Sequence, residues 1–315
     1  MMWKNVKKIV DENVTKFVFE KEDIAVEAVL YKYPTYDVRT VLCISTMCGC
    51  PMGCRFCGTG DYFVRSLTAE EIVGQAEYIL SGEIEGVDPL SIQKLQIMVM
   101  SQGEPALVKG LYPAFQTLYA KYPNAALLIS TSAPDVDFQW ITDMSVEIPT
   151  VGLQFSVHES TDAARDALIP FKKKMNLEKI AKTGEAWVAA VGRKAYFNYC
   201  AHDGNVSEED ADRLLALFNP SCWESTVSVI CERDGAASVK TNEYQRELAT
   251  EFSSKMLSRG YNVRVFDPSG QDTVGGGCGQ LWHTQKWMSE HPEYVKKSCG
   301  YHKIKIHVPT KNETT

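Results

Sequence analysis

The chain has 315 residues, enough to bury the core of one large α/β domain with extensions. Its 44% hydrophobic and 23% charged content are ordinary for a globular protein and exclude a fibrous or disordered chain. A net charge of −7 gives no global attraction to nucleic acid, so any RNA contact must come from local patches.

Residues Met1–Lys8 hold no apolar signal segment, and no run of about 18 apolar residues exists to span a bilayer. The expectation is a cytoplasmic protein without membrane contact, whose ten cysteines are reduced thiols rather than a disulfide frame. In chain order, a short helix is expected near the N-terminus. The segments 16–19 and 24–33 then read as a hairpin turning around Glu20–Asp23. From 41–45 onward a strand–helix rhythm sets in. Strands are predicted at 95–100, 126–131, 150–156, 194–200, 226–230 and 261–266. Helices are predicted at 68–80, 107–121, 137–144, 177–191, 208–218 and 243–258. Thr68, followed by Glu70 and Glu71, has the form of an N-cap with acids in the first turn, and so does Ser207 before Glu208–Asp210. The alternation predicts parallel strands in a barrel or an open sheet. Gly275–Gly277 is the point of greatest backbone freedom.

Directly after the first strand of that rhythm stand Cys50, Cys54 and Cys57, spaced C-x3-C-x2-C. Three thiolates on one short loop can each hold one iron of a [4Fe–4S] cube, leaving the fourth iron open to a small molecule. A structural zinc site is the alternative, but zinc takes four ligands, usually as two separated pairs. Phe56, between two of these cysteines, suits packing against the cluster or an adenine. Downstream, Gly103-Glu104-Pro105 follows a strand and places a carboxylate where it can receive an ammonium; the plainer reading is an acid at a helix start.

The cysteine run resembles the signature of the radical SAM superfamily. That resemblance implies S-adenosylmethionine (SAM) bound to the open iron and cleaved reductively to methionine and a 5′-deoxyadenosyl radical. Further segments narrow it. Gly277-Cys278-Gly279-Gln280-Leu281, Cys43 seven residues before Cys50, the serine-rich 129–132, and 155–170 together resemble the RlmN/Cfr family, radical SAM methyltransferases acting on RNA adenines. The likeness runs from about residue 14 to about residue 282. It implies a partial (β/α)6 TIM-like barrel over 41–282, with an N-terminal helix and β-hairpin extension (1–40) and a C-terminal extension (283–315).

By the same resemblance, Cys278 takes a methyl group from one SAM, and the radical made from a second SAM removes a hydrogen atom from it. The resulting carbon radical adds to an sp2 ring carbon, C2 or C8 of adenine. Cys43 then attacks the Cys278 sulfur, releasing product as a disulfide forms, which a reductant must open at each turnover; an electron donor such as flavodoxin or ferredoxin is the expected protein partner. Ser130, Ser132, Ser156, His158 and Ser228 are further candidates to bind SAM, with Gly103, Glu104 and Pro105. Asp272 is a candidate to orient Cys278. Cys200, Cys222, Cys231 and Cys299 read as small hydrophobic positions; Cys48, beside the three cysteines, is left without a role, although it or Cys43 could complete a zinc set.

Three departures bear on the acceptor. Only 40 residues precede Val41, too few for the family's N-terminal accessory domain. The stretch 265–270 carries no arginine, and Ser228 stands where the family has an asparagine. Lys172–Lys174, Lys179, Lys182, Arg193 and Lys194 could still form a positive face, and residues 282–315 hold six lysines against three acids, net +3. A compact RNA such as tRNA is therefore the expected substrate. The same chemistry on a free nucleotide or small heteroaromatic metabolite is the first alternative, and a non-catalytic iron–sulfur or zinc module the second.

Overall fold

The computed structural model describes residues 2, 3, 5–229, 242–267, 269, 270, 273–275 and 280–298. Its strands are β1 Asn5–Val10, β2 Val14–Glu20, β3 Ala25–Lys32, β4 Arg39–Cys43, β5 Met47–Gly49, β6 Tyr62–Ser66, β7 Lys94–Val99, β8 Ala125–Thr131, β9 Val151–Ser156, β10 Ala195–Ala201, β11 Trp223–Val229, β12 Val263–Phe266 and β13 Lys297–Ser298. The helices are α1 Ala69–Gly82, α2 Leu111–Lys121, α3 Gln139–Glu147, α4 Asp162–Leu168, α5 Leu177–Val191, α6 Glu208–Leu217, α7 Asn242–Ser258 and α8 Trp282–Glu290. One sheet runs in the order β1-β2-β3-β4-β7-β8-β9-β10-β11-β12. From β4 onward every neighbouring pair is parallel, with a helical crossover between successive strands, which is the partial (β/α)6 barrel carried on to a seventh strand.

The local signals explain much of this. Thr68 and Glu71 close a capping box on α1, as do Ser207 and Asp210 on α6. Asn176 caps the start of α5, and Gly192, in the left-handed region, ends it. The core lies between the sheet and its helices. Phe155, Phe197, Phe218 and Trp223 meet there with ring centroids 5.0–6.4 Å apart. Gly184 on α5 lies directly under the Trp223 ring: a Cβ there would sit 2.2 Å from two ring carbons.

Two expectations are corrected. The N-terminal segment is not a helix: Asn5–Val10 is β1, paired antiparallel along its whole length with β2. Val6, Ile9 and Val10 have helical spacing, but the open edge of β2 offers a full ladder of backbone bonds that a short helix cannot match. The helix predicted from 107 begins at Leu111, because Pro105–Leu107 forms a separate 3-10 turn capped by Glu104. A second, small sheet was not expected. Antiparallel β5 and β6 form a hairpin around the cysteine loop, and β13 pairs with β6. Gly49 is required at its base: φ is +74°, and a Cβ would lie 2.2 Å from the Tyr62 carbonyl oxygen.

Candidate active site

The loop between β5 and β6 brings Cys50, Cys54 and Cys57 to the C-terminal ends of the parallel strands. There they line one cavity of about 930 Å³, open mouth included. Its backbone is fixed locally: the Cys50 N–H donates to Tyr62 O at 2.7 Å, and the Arg55 N–H donates to Leu168 O at 2.9 Å. Burial pushes the Cys54 thiol up to about 12, with the Cys57 charge adding to it, and burial and Cys54 push Cys50 well up. The Cys50 and Cys54 thiols, buried and in mutual repulsion, are not held as thiolates by the polypeptide alone; a polycationic iron core would deprotonate them outright. Among the described residues no three His, Cys, Asp or Glu side chains converge on a single ion. A cube whose irons take one thiolate each asks for three cysteines lining one cavity, which this loop provides. The donor set therefore fits a [4Fe–4S] cluster.

Opposite the cysteines, Gly103 and Glu104 follow β7 into the same cavity. Gly103 has φ +105°, and a Cβ would meet Thr46 Oγ1 at 2.6 Å. Glu104 is 2% exposed. It accepts hydrogen bonds from the Ala106 N–H at 3.0 Å, the Ser132 N–H at 2.6 Å and the Thr131 hydroxyl. Burial outweighs these bonds and raises its pKa to about 7. Pro105 does not line the cavity; it starts the 3-10 turn that aims Glu104.

Ser130, Ser132, Ser156 and Ser228 all line the cavity from strand ends. The Ser132 Oγ lies 3.9 Å from Cys54 Sγ, and the Ser228 hydroxyl donates to Asn198 Oδ1 at 2.6 Å. Phe56 and His158 meet edge to face with centroids 4.6 Å apart. His158 Nδ1 accepts from the Cys200 N–H at 3.2 Å, and burial drives its pKa down to about 3, so the ring is neutral with Nε2 as donor. Cys200, read from sequence as a small hydrophobic position, lines the cavity and has its thiol pushed up to about 12 by burial. Cys48 lies under the β2–β3 hairpin, its thiol bonded to Ala25 O at 3.1 Å, which suits a packing role. Cys222 is half-buried, away from the site.

Sequence reasoning missed Asn198 and Thr59, which line the cavity, and Arg165, which supports it. Asn198 could have been found from the alternation Tyr196, Asn198, Cys200, which puts a polar group on the inner face of β10. Thr59 Oγ1 lies 3.2 Å from Cys57 Sγ. Arg165, buried, donates to the carbonyls of Met175 at 2.9 Å, Ser132 at 2.8 Å and Ser156 at 3.2 Å, tying the ends of β8 and β9 together.

Cys43 ends β4 and faces an adjoining cavity with Tyr31, Tyr33, Gln154 and Arg264; Met100, Asn198 and Phe266 line both cavities. Arg264 puts a basic group there, one residue before the stretch that lacks one. Cys278 lies outside the described residues, as do Asp272, Cys231 and Cys299. The two sides of the Cys278 segment are described: Val274 and Leu281 pack in one apolar cluster with Cys43, Val41, Val29 and Tyr31.

No family model matches the chain. Curated proteins do. The chain is 30% identical over 286 residues to "Probable dual-specificity RNA methyltransferase RlmN" of Thermotoga neapolitana, covering 89% of this chain and 78% of that protein. It is 29% identical over 290 residues to the protein of the same description from Petrotoga mobilis (88% and 77% covered), and 29% identical over 276 residues to "Ribosomal RNA large subunit methyltransferase Cfr" of Clostridium botulinum (84% and 76%). Among solved structures, a radical SAM methyltransferase from Sphaerobacter thermophilus superposes with a TM-score of 0.75 at 26% identity, covering 89% of this chain and 81% of that one. The family's cofactors are SAM and a [4Fe–4S] cluster, which the cysteine loop fits. The chain is an enzyme of methyl transfer and belongs to the RlmN/Cfr family of radical SAM methyltransferases.

Proposed function

We propose that this enzyme methylates C2 or C8 of an adenine in RNA, with a tRNA as substrate, through a methyl group carried on Cys278 and released by Cys43. The observation that carries this reading is the apolar cluster in which Cys43 packs beside Val274 and Leu281, on either side of the Cys278 segment. The relatives described as RNA methyltransferases support the acceptor class.

Cys50, Cys54 and Cys57 would hold the cluster, which with bound SAM supplies the radical that takes a hydrogen atom from a methyl group. Glu104 receives the ammonium of SAM, and the strand-end hydroxyls of Ser130, Ser132, Ser156 and Ser228 bind its carboxylate and ribose. His158 donates from Nε2, and Phe56 packs beside it. Cys278, as a thiolate, is the nucleophile that the unreactive ring carbon needs as intermediary: it takes the methyl group from one SAM, and a second SAM is consumed in making the radical. The carbon radical adds to the ring carbon, and the adduct gives up the ring proton and one electron, which would return to the cluster oxidised in cleaving SAM. The Cys43 thiolate then attacks the Cys278 sulfur, the carbon–sulfur bond breaks, the released carbon takes a proton to become the methyl group, and the two cysteines leave as a disulfide. Two electrons and two protons from a reductant of the flavodoxin or ferredoxin class restore the thiols.

Residues 41–282 form the catalytic core in this reading, with 1–40 and 283–315 as extensions, and the enzyme acts in the cytoplasm. No helix among the described residues is long and apolar enough to cross a membrane. The net charge of −7 favours a second reading, in which the acceptor is a free nucleotide or small heteroaromatic metabolite. Anaerobic reaction of the reconstituted protein with dithionite, methyl-deuterated SAM and bulk tRNA separates these. Labelled methyladenosine in the RNA digest is expected. Its absence, with label only in added nucleotides, supports the second reading. No label on the Cys278 peptide in either case overturns the methyl-carrier mechanism.

A further inference from the structure

Lys16 on β2 and Glu27 on β3 are both wholly buried, 0% exposed, with Nζ 2.7 Å from Oε2. No step above uses them. A lone ion pair in a core recovers little beyond its own desolvation cost, so what each charge reaches besides its partner is informative. The Lys16 ammonium also donates to the carbonyl of Gly275 at 2.8 Å. The other Glu27 oxygen accepts the Thr284 N–H at 2.8 Å and its hydroxyl at 3.0 Å. Gly275 and Thr284 lie on opposite sides of the segment that contains Cys278. The cation thus holds one flank and the anion the other.

The flanks also hold each other. The Trp282 N–H donates to Gly275 O at 3.1 Å. Gly275, at φ +79°, lies so close to His283 that a Cβ would meet its Nε2 at 2.5 Å. The same pair reaches the rest of the site. The backbone carbonyl of Glu27 accepts the hydroxyls of Ser45 at 2.6 Å and Ser101 at 2.7 Å. Ser45 stands two residues after Cys43, and Ser101 three before Glu104. Gln102 joins them: its N–H donates to Ser45 Oγ at 3.2 Å, and its side-chain amide to the Thr284 hydroxyl.

We propose that Lys16 and Glu27 are positioning residues for methyl carriage. The buried pair fixes both flanks of the Cys278 segment in one frame with Cys43 and the Glu104 turn, so that a single thiol can serve first the methyl donor and then the acceptor. The inference rests on the reading of Cys278 as methyl carrier. The test is the full-length double variant Lys16→Met/Glu27→Met, which removes both charges together and so leaves no unpaired charge in the core, measured beside Thr284→Val, which removes one hydroxyl and keeps the pair.

Folding is checked by thermal melting and by cluster absorbance after reconstitution. Deuterium exchange is followed on the peptide spanning 273–288, and methyl loading on the Cys278 peptide by mass. The double variant is expected to exchange at least tenfold faster and to load methyl at least tenfold more slowly, with its melt and cluster retained. Thr284→Val is expected to change each rate about threefold, and it decides the matter if the double variant does not fold. Wild-type exchange and loading in the folded variant overturn the proposal. Methyl loading absent from the wild-type protein overturns the carrier reading instead, and exchange alone then shows whether the pair holds the two flanks.

Discussion

Replacing Glu104 with glutamine tests the ammonium site through its electrostatics. In the ligand-free protein, burial holds this carboxyl near pKa 7 against the usual 4.5, despite three hydrogen bonds to it. The folded protein therefore binds a proton more tightly than the unfolded chain does. The stabilisation is complete below about pH 4.5 and is lost as pH rises through 7. At ~1.4 kcal/mol per pH unit between the two values, the loss comes to about 3 kcal/mol, of which about 2 falls between pH 5.5 and 8.5. Glutamine does not titrate, so Glu104→Gln should lack this slope.

Ligand binding should show the reverse dependence. A SAM ammonium stabilises the ionised carboxylate, so the affinity of the wild-type protein should fall about tenfold for each pH unit below 7. The glutamine variant should bind with a flat pH profile and about 30–100-fold more weakly, the measure of one charge-assisted hydrogen bond worth ~2–3 kcal/mol. Urea denaturation of the ligand-free proteins at pH 5.5 and 8.5, with calorimetric titration of SAM across the same range, measures both. Equal pH slopes in the two proteins, or SAM affinity within twofold for the variant, would refute the assignment of Glu104 as a strained, ammonium-binding carboxylate.

Cys43→Ala should stall with nucleic acid covalently attached through Cys278, seen as a mass adduct on the purified protein; an unmodified, fully active variant removes Cys43 from the reaction. Arg165→Met leaves three carbonyls, one buried and two partly so, without their donor and should cost about 3–5 kcal/mol by chemical denaturation, with Arg165→Lys recovering only part because an ammonium lacks the planar fork. Gly184→Ala forces a methyl group into the Trp223 ring and should lower stability by ~1–3 kcal/mol or more, read as a shift in the melting temperature.

The fold was legible where local chemistry and long-range packing agree. The capped starts of α1 and α6 and the parallel strands with their apolar inner runs fall within a few residues of expectation. That Cys50, Cys54 and Cys57 share one cavity was legible because they are close in sequence. What failed was tertiary. Val6, Ile9 and Val10 carry a helical spacing that the β2 edge overrides. The β5–β6 hairpin is short and broken by the cysteine loop, so no alternation announced it. Pro105 shares a motif with Glu104 but faces away, and Arg165 lies in a stretch matched by resemblance whose use as a three-carbonyl brace shows only in three dimensions.

On the proposed mechanism, the division of labour within the site follows from what its two chemistries demand. Cleaving SAM requires a cofactor held at one fixed place. The parallel strands provide this, since Glu104, Ser132, Ser156 and Asn198 stand at their ends and Arg165 locks two of those ends together. Methyl carriage requires instead a thiol that can meet two partners in turn without leaving their vicinity. The residues flanking Cys278 are bound accordingly by the N-terminal hairpin, through Lys16, Glu27 and the apolar contacts of Val14 and Val29 with Val274 and Leu281, rather than by the ladder of the barrel. The hairpin reads in sequence as an appendage before the barrel, yet it contributes Tyr31 to the wall beside Cys43 and the charges that hold the carrier's flanks.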